Sequence, residues 1–229
     1  MGRPLRAAPG GLVYHVLNRA NGREALFDDD GDYAAFERVL SEAQKRIAMR
    51  LLAYCVMPNH WHLVLWPYRD GDLSRFISWL TLTHTQRWHA YRQTVGTGHL
   101  YQGRFKSFVV QTDEHLMTVC RYVERNALRA KLVDRAEVWR WSSLWRTEYG
   151  DAQQKALVSE WPITRPREWM AWVNAEEGAE ALRRIRQSVV RGQPFGPTEW
   201  VVTMIERFGL TSTVRSEGRP KKTHVENGS

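Results

Sequence analysis

The segment LLAYCVMPNHWHLVLW, residues 51–66, decides how this chain is expected to fold. It contains two short apolar runs, 51–57 and 60–66, and each has the length of a buried strand. Only Pro58 and Asn59 separate the runs, and both residue types favour tight turns. The segment therefore predicts a β-hairpin, and the neighbouring elements can be assigned outward from it.

Strands and helices alternate on both sides of this hairpin. Apolar spacing and capping residues predict a strand at 12–18, a helix over about 33–47 capped by Asp32, a helix over 73–91, a strand at 104–111 and a helix from 113 to about 130. The order is strand, helix, strand, strand, helix, strand, helix. It predicts an α+β fold with a ferredoxin-like (RRM-like) antiparallel sheet and packed helices.

The chain changes character after about residue 145, where a basic helical C-terminal extension is expected. We assign residues 1–150 to the first domain and 151–229 to the extension with its tail. A short helix is expected near 183–191, and a second one begins at Pro197 and Thr198. Nine Lys or Arg residues oppose three acidic residues between positions 181 and 222, so this stretch is strongly basic.

Charge and cysteine usage narrow the class of protein. The net charge of +8 and the pI near 9.8 favour a polyanionic partner such as nucleic acid, although a basic protein without such a partner has the same composition. Cys55 and Cys120 lie in apolar runs and are expected to be buried, reduced thiols. Residues 1–11 lack the apolar core of a signal peptide. Reduced thiols favour a cytoplasmic location over secretion. Because no run of eighteen apolar residues occurs, no membrane span is expected.

His60 and His62 are the first candidate site residues. Residues two apart in a strand project from the same face, so both imidazoles are expected to point the same way. Two neutral imidazoles on a rigid strand can bind one divalent cation and leave coordination positions open for substrate oxygens. A His-x-His pair is also found in strands that bind no metal, and the spacing leaves both interpretations open.

The helix over 113–130 supplies the second group of candidates. A helical wheel places His115, Tyr122, Asn126 and Arg129 together beside its apolar stripe. Asn126 offers an oxygen ligand and Arg129 can bind a phosphate, whereas a tyrosine beside an apolar stripe is often only a packing residue. His15, in the middle of the first predicted strand, is expected to have a structural role.

Three segments resemble HUH single-strand tyrosine transposases, in the order and at about the distances found in that family. They are MPNHWHLV (57–64), YQGRFKS (101–107) and YVERNALRA (122–130). Within that family, RGQPFG (191–196) with Trp200 and GRPKK (218–222) resemble the REP-associated tyrosine transposases. Ala127 stands where relatives commonly have proline after the asparagine, so the local backbone is expected to differ.

This resemblance implies a metal-dependent transposase that cuts and rejoins single-stranded DNA at repetitive extragenic palindromic hairpins. His60 and His62 would bind Mg²⁺ or Mn²⁺, and Tyr122 would be the nucleophile that forms a 5′-phosphotyrosine. Asn126 matches the position of a third polar ligand, although some relatives use another amide there. The rival interpretation is a host-retained protein that binds DNA or RNA hairpins without cutting them.

Basic residues in two regions are the expected DNA contacts. They are Arg104, Lys106 and Arg129 near the sheet, and Arg183, Arg184, Arg191, Arg219, Lys221 and Lys222 in the extension. The alternation of Arg104 and Lys106 is explained equally well by a solvated strand face. The basic residues Arg219, Lys221 and Lys222 are also explained by an ordinary basic terminus. The partner is expected to be single-stranded or hairpin DNA, which would place the protein at the nucleoid. A monomer is favoured and a homodimer is possible.

Overall fold

A computed structural model describes residues 8–214 of the 229-residue chain. The strands are β1 (Val13–Arg19), β2 (Met49–Met57), β3 (His60–Pro67) and β4 (Lys106–Val110). The helices are α1 (Asp30–Arg46), α2 (Asp72–Tyr91), α3 (Glu114–Glu124), α4 (Asn126–Arg129), α5 (Ser143–Tyr149), α6 (Ala152–Lys155), α7 (Trp169–Asn174), α8 (Ala179–Arg191) and α9 (Thr198–Phe208). Among these residues, no helix is both long enough and apolar enough to cross a lipid bilayer.

The four strands form one antiparallel sheet in the order β2-β3-β1-β4. β2 and β3 form the predicted hairpin, with Met57 opposite His60 beside the turn. β1 lies between β3 and β4, and Leu17 is opposite His62. This arrangement confirms the predicted α+β, ferredoxin-like sheet with packed helices.

The two faces of the sheet carry different residues because side chains alternate along each strand. Trp61, Leu63 and Leu65 of β3 pack into the hydrophobic core beneath α1 and α2. Val64 belongs to a second core on the opposite face, which also contains residues of α3. His60 and His62 share the face of Val64, so α3 lies across the sheet on the side of the histidines.

Some predicted boundaries differ from the structure. Asp29 caps α1 instead of Asp32, because the Asp29 side chain accepts a hydrogen bond from the backbone nitrogen of Asp32. The helix expected from 113 to 130 is divided into α3 and α4 at Arg125, which has φ −81° and ψ −2°. The helix is interrupted although Ala127, two residues after Arg125, is not a proline, so the turn forms without a proline at that position.

Backbone segments from outside the sheet pair with both of its edge strands. Phe195 forms a parallel bridge with Val110 at the β4 edge, and its backbone nitrogen donates to the oxygen of Val109. At the β2 edge, Ser142 bridges Cys55 and the backbone nitrogen of Val56 donates to Trp141. Residues that precede the extension and residues within it thus form backbone hydrogen bonds with part of each edge strand.

The extension also shares the core of the first domain. Trp169, Val173, Ile185 and Phe195 belong to the same buried cluster as the apolar residues of α3. The boundary at residue 150 stays a prediction.

Three arginines join α3 and α4 to the extension. The guanidinium of Arg121 donates to the backbone oxygens of Trp172 and Ala175, and that of Arg125 donates to Val173 and Asn174. Glu177 accepts a hydrogen bond of 2.7 Å from Arg129 and lies 3.4 Å from Arg125. Both guanidinium groups and the carboxylate are largely buried, so the ion pairs are shielded from water.

We expect the substitution Glu177→Ala to lower the free energy of unfolding by about 1–3 kcal/mol, because it leaves two largely buried guanidinium groups without their carboxylate. Urea unfolding of the full chain measures this change. The neighbouring Glu176 has an exposed side chain, and Glu176→Ala is the matched control with an expected effect below about 0.5 kcal/mol. Equal effects of the two substitutions would contradict the stabilising role of the Glu177 ion pairs.

Candidate active site

Strand β3 brings His60 and His62 together at the end of the sheet nearest the hairpin turn. Their ring centroids are 5.0 Å apart, with the planes nearly perpendicular. His62 is buried, with 3% of its surface exposed, and His60 is half-buried. The side chains therefore share one face, as the strand spacing predicted.

Burial keeps both imidazoles neutral. The pKa of His60 is lowered to about 4, chiefly because of burial and also because of the charges of Arg19 and Arg129. The pKa of His62 lies well below its usual value, first because of burial and then because of His60 and His15. A neutral imidazole has a nitrogen lone pair available for a metal ion, so the neutral state of His60 and His62 suits a role as metal ligands.

One nitrogen of each imidazole already has a hydrogen-bond partner. His60 Nδ1 lies 2.7 Å from Asn59 Oδ1, and His62 Nδ1 lies 2.9 Å from Nε2 of His15. Within residues 8–214 neither Nε2 atom forms a hydrogen bond. The two Nε2 atoms are thus the ones available for a metal ion.

Helix α3 places Tyr122 against the histidines. The tyrosine ring meets His62 edge-on at a centroid distance of 5.9 Å and His15 at 6.3 Å. Its ring is buried, with 7% of the residue exposed, and the described part of the chain offers its hydroxyl no hydrogen-bond partner. The structure therefore brings together the three residues that the sequence singled out for catalysis.

Arg129 contacts both the ring and the backbone of Tyr122. Its guanidinium lies 4.0 Å from the centre of the Tyr122 ring and donates, at 2.9 Å each, to the Tyr122 backbone oxygen and to Asn126 Oδ1. Because it also pairs with Glu177, Arg129 is already satisfied by protein groups. A phosphate would have to compete with these partners, and a phosphate contact by Arg129 stays a prediction.

Asn126 is buried beside Tyr122, and its Nδ2 atom has no hydrogen-bond partner among the residues described. Its Oδ1 accepts from Arg129, so it would bind a metal through its second lone pair. Two neutral imidazoles and one amide oxygen make a donor set that a divalent cation can use, with positions left for water and phosphate oxygens. These residues therefore fit a divalent metal ion.

His115 was predicted to cluster with Tyr122, and the structure places its contacts elsewhere. Its Nδ1 lies 2.9 Å from Asp113, the residue that caps α3, and its ring packs against Phe195. Asp113, Glu114 and His115 are close enough to one another to bind a metal ion, and no other group of three or more His, Cys, Asp or Glu residues within 8–214 is. Helix capping explains the position of Asp113 without any metal.

The predicted DNA contacts occupy different environments. Arg104 and Lys106 are exposed and line a cleft of about 390 Å³ between β4 and the extension, together with Arg191. Arg183 is paired with Glu180, and Arg184 donates to the backbone oxygen of Gly196. Arg219, Lys221 and Lys222 lie outside the described residues. The contacts of these residues with DNA stay predictions.

His15 is the site residue that sequence analysis missed. The strand pattern indicated only a structural histidine, whereas the structure places its ring on His62, with a centroid distance of 5.0 Å. The alternation of β1 sets which residues share a face with His15, but it does not show that β1 pairs with β3. The sheet register supplies that information.

Comparisons with known proteins place the chain in a family. The family model for IS200-like transposases matches residues 10–126, just over half of the chain, and includes His60, His62 and Tyr122. No curated protein matches the sequence.

Two solved structures match parts of this chain. A REP-associated tyrosine transposase bound to a REP hairpin has 16% sequence identity and a TM-score of 0.52, over 73% of this chain and 96% of that chain. A Deinococcus radiodurans R1 protein described as a candidate transposase has 18% identity and a TM-score of 0.39, over 58% and 94% of the two chains. The first likeness supports the fold, and the family match carries the assignment: the chain belongs to the IS200-like transposase family.

Proposed function

We propose that this transposase is a metal-dependent single-strand DNA endonuclease and strand transferase that acts at repetitive extragenic palindromic hairpins through a 5′-phosphotyrosine intermediate. The observation that carries the proposal is the position of Tyr122, whose ring lies 5.9 Å from that of His62. A tyrosine beside two neutral imidazoles with unpartnered nitrogens has the parts needed for attack on a phosphodiester.

The proposed reaction forms a bond between Tyr122 and phosphorus and breaks the bond between phosphorus and the 3′ oxygen. The Tyr122 hydroxyl attacks phosphorus and loses its proton as the new oxygen–phosphorus bond forms. The bond from phosphorus to the 3′ oxygen breaks, and that oxygen takes up a proton to become a 3′-OH. Arg129 holds the tyrosine through its ring and its backbone oxygen. Attack of a 3′-OH on the phosphotyrosine reverses these changes and rejoins the DNA.

His60 and His62 would bind Mg²⁺ or Mn²⁺, with Asn126 as a third ligand. Such an ion, when bound, polarises the scissile phosphate and stabilises negative charge on the leaving oxygen. The histidines suit this role because each is neutral and each directs one nitrogen to a protein partner, which fixes the orientation of the ring.

The proposed partner is hairpin DNA with an adjoining single strand. The solved relative of similar fold is bound to a REP hairpin. In this chain, Arg104, Lys106 and Arg191 line one cleft, and the net charge of +8 favours a polyanion. We propose that residues 151–229 recognise the hairpin while residues 1–150 cut, and that the protein acts as a monomer at the nucleoid in the cytoplasm.

Tyr122→Phe tests the nucleophile, because phenylalanine keeps the ring contacts with His62 and Arg129 and removes only the hydroxyl. With Mg²⁺ or Mn²⁺ and a labelled hairpin oligonucleotide, we expect wild-type protein to form a covalent adduct on a denaturing gel. Tyr122→Phe is expected to form none while its affinity for the hairpin stays within about twofold. Tyr149, whose side chain is exposed, provides the matched control Tyr149→Phe, which should form the adduct normally.

His62→Ala is expected to abolish the adduct in the same assay. An adduct that persists in Tyr122→Phe would overturn the nucleophile assignment. Binding without cleavage by wild-type protein and every variant would instead support the non-cleaving hairpin-binding protein.

Replacing Arg219, Lys221 and Lys222 together by alanine tests the basic tail. If these residues contact phosphates, hairpin affinity falls and the slope of log K against log[salt] becomes shallower by about 2–3, since each lost contact removes about 0.7–0.9. Fluorescence anisotropy at several salt concentrations measures both quantities.

The control for the tail is an equal loss of charge elsewhere. Arg38, Lys45 and Arg46 of α1 are exposed on the helix that packs against the other face of the sheet. Their replacement by alanine is expected to leave the slope nearly unchanged. Equal slopes for wild-type protein and the tail variant would argue against phosphate contacts there.

A further inference from the structure

We propose that His15 is a positioning residue that holds His62 in the ring orientation and proton arrangement required for metal binding. This inference rests on the proposed function, which makes His62 a metal ligand. It assigns a role to a residue of β1 that the reaction itself does not use.

The sheet register places His15 beside His62. β1 and β3 are antiparallel, with Leu17 opposite His62 and His15 opposite Val64, so the two histidines are diagonal neighbours on one face. Nε2 of His15 lies 2.9 Å from Nδ1 of His62, within hydrogen-bond distance. Neither ring can easily turn away, because both are buried and the rings of Phe108 and Tyr122 pack around them.

A single proton lies between these two nitrogens, and its position decides whether His62 can bind a metal ion. If Nδ1 of His62 carries the proton and donates it to His15, the Nε2 atom of His62 has a free lone pair. If His15 donates instead, a neutral His62 carries its proton on Nε2 and cannot use that atom as a ligand. Metal binding therefore requires His15 to accept the hydrogen bond through Nε2.

This arrangement leaves the other nitrogen of His15 without a partner. A neutral His15 that accepts through Nε2 carries its own proton on Nδ1, and that atom is buried with no hydrogen-bond partner in the described range. An unpartnered buried polar atom costs folding free energy, which an apolar side chain at this position would avoid. Folding stability thus does not explain a histidine here, whereas orientation of His62 does.

The contacts of His15 also distinguish positioning from direct metal binding. Its Nε2 atom is directed at Nδ1 of His62, and its Nδ1 atom is enclosed. His15, His60 and His62 do not form a group whose ligand atoms could surround one ion, whereas Asp113, Glu114 and His115 do. His15 therefore acts on a metal ion through His62.

Titration of the full-length protein with Mn²⁺ in a calorimeter tests the proposal without DNA or catalysis. His15→Phe keeps a planar ring and removes the acceptor, and we expect it to weaken Mn²⁺ binding by about 10–100-fold. His15→Gln keeps an acceptor, because its amide oxygen can take the place of Nε2, and we expect binding within about threefold of wild type. His15→Leu is the second apolar variant and replaces His15→Phe if that protein does not fold.

His62→Ala in the same titration separates failure of this inference from failure of the proposed function. Unchanged Mn²⁺ affinity in His62→Ala would overturn the ligand assignment and the metal-dependent function with it. Loss of binding in His62→Ala with no loss in His15→Phe would overturn only the role of His15. Equal losses in His15→Phe and His15→Gln would show a packing role and would overturn the proposal.

The proton arrangement can be observed directly by nitrogen NMR of the imidazoles in the presence of saturating Mg²⁺, which is diamagnetic. We expect His62 to be protonated on Nδ1 and His15 on its own Nδ1. A Mg²⁺-bound protein in which His62 carries its proton on Nε2 would overturn the proposal.

Discussion

The alternation of side chains along β3 is the constraint on which the rest of the structure depends. Trp61, Leu63 and Leu65 require an apolar layer on one face, which α1 and α2 provide. His60 and His62 must then lie on the opposite face. A slip of one residue in the register would bury the imidazoles under α1 and α2 and turn Trp61 towards α3. The packing of the hydrophobic core thus fixes the face of the sheet on which the two candidate metal ligands lie.

The second requirement is that α3 and α4 stay in place across the histidine face. Apolar residues of α3 pack on the sheet, and buried Glu124 accepts hydrogen bonds from Ser143 and from the indole of Trp169. Burial raises the pKa of this carboxyl, and nearby Arg165 opposes the shift. The extension therefore supports the helix that carries Tyr122, besides any contact it makes with DNA.

Local spacing in the sequence was sufficient for the hairpin, the element order and the pairing of His60 with His62, since each depends on neighbours a few residues apart. The position of Tyr122 was predicted from the resemblance and a helical wheel. His15 contacts His62, Glu177 pairs with Arg129, and Phe195 pairs with Val110. The partners are 47, 48 and 85 positions apart in the chain, respectively. Such contacts depend on sheet register and tertiary packing, which no local pattern contains. The contacts of His115 could not be predicted for the same reason, because they depend on the packing of Phe195 and on the capping role of Asp113.

The pairing of Phe195 with Val110, and of Ser142 with Cys55, has a consequence for how copies of the protein meet. An exposed edge strand is a template on which another chain can add a strand, and this is a common route to aggregation. Here part of each outer strand already hydrogen-bonds to irregular backbone of the same molecule. Growth of the sheet from one copy into the next is therefore blocked at these positions. The segments that pair with the two edge strands therefore leave fewer free backbone groups on which a second copy could add a strand.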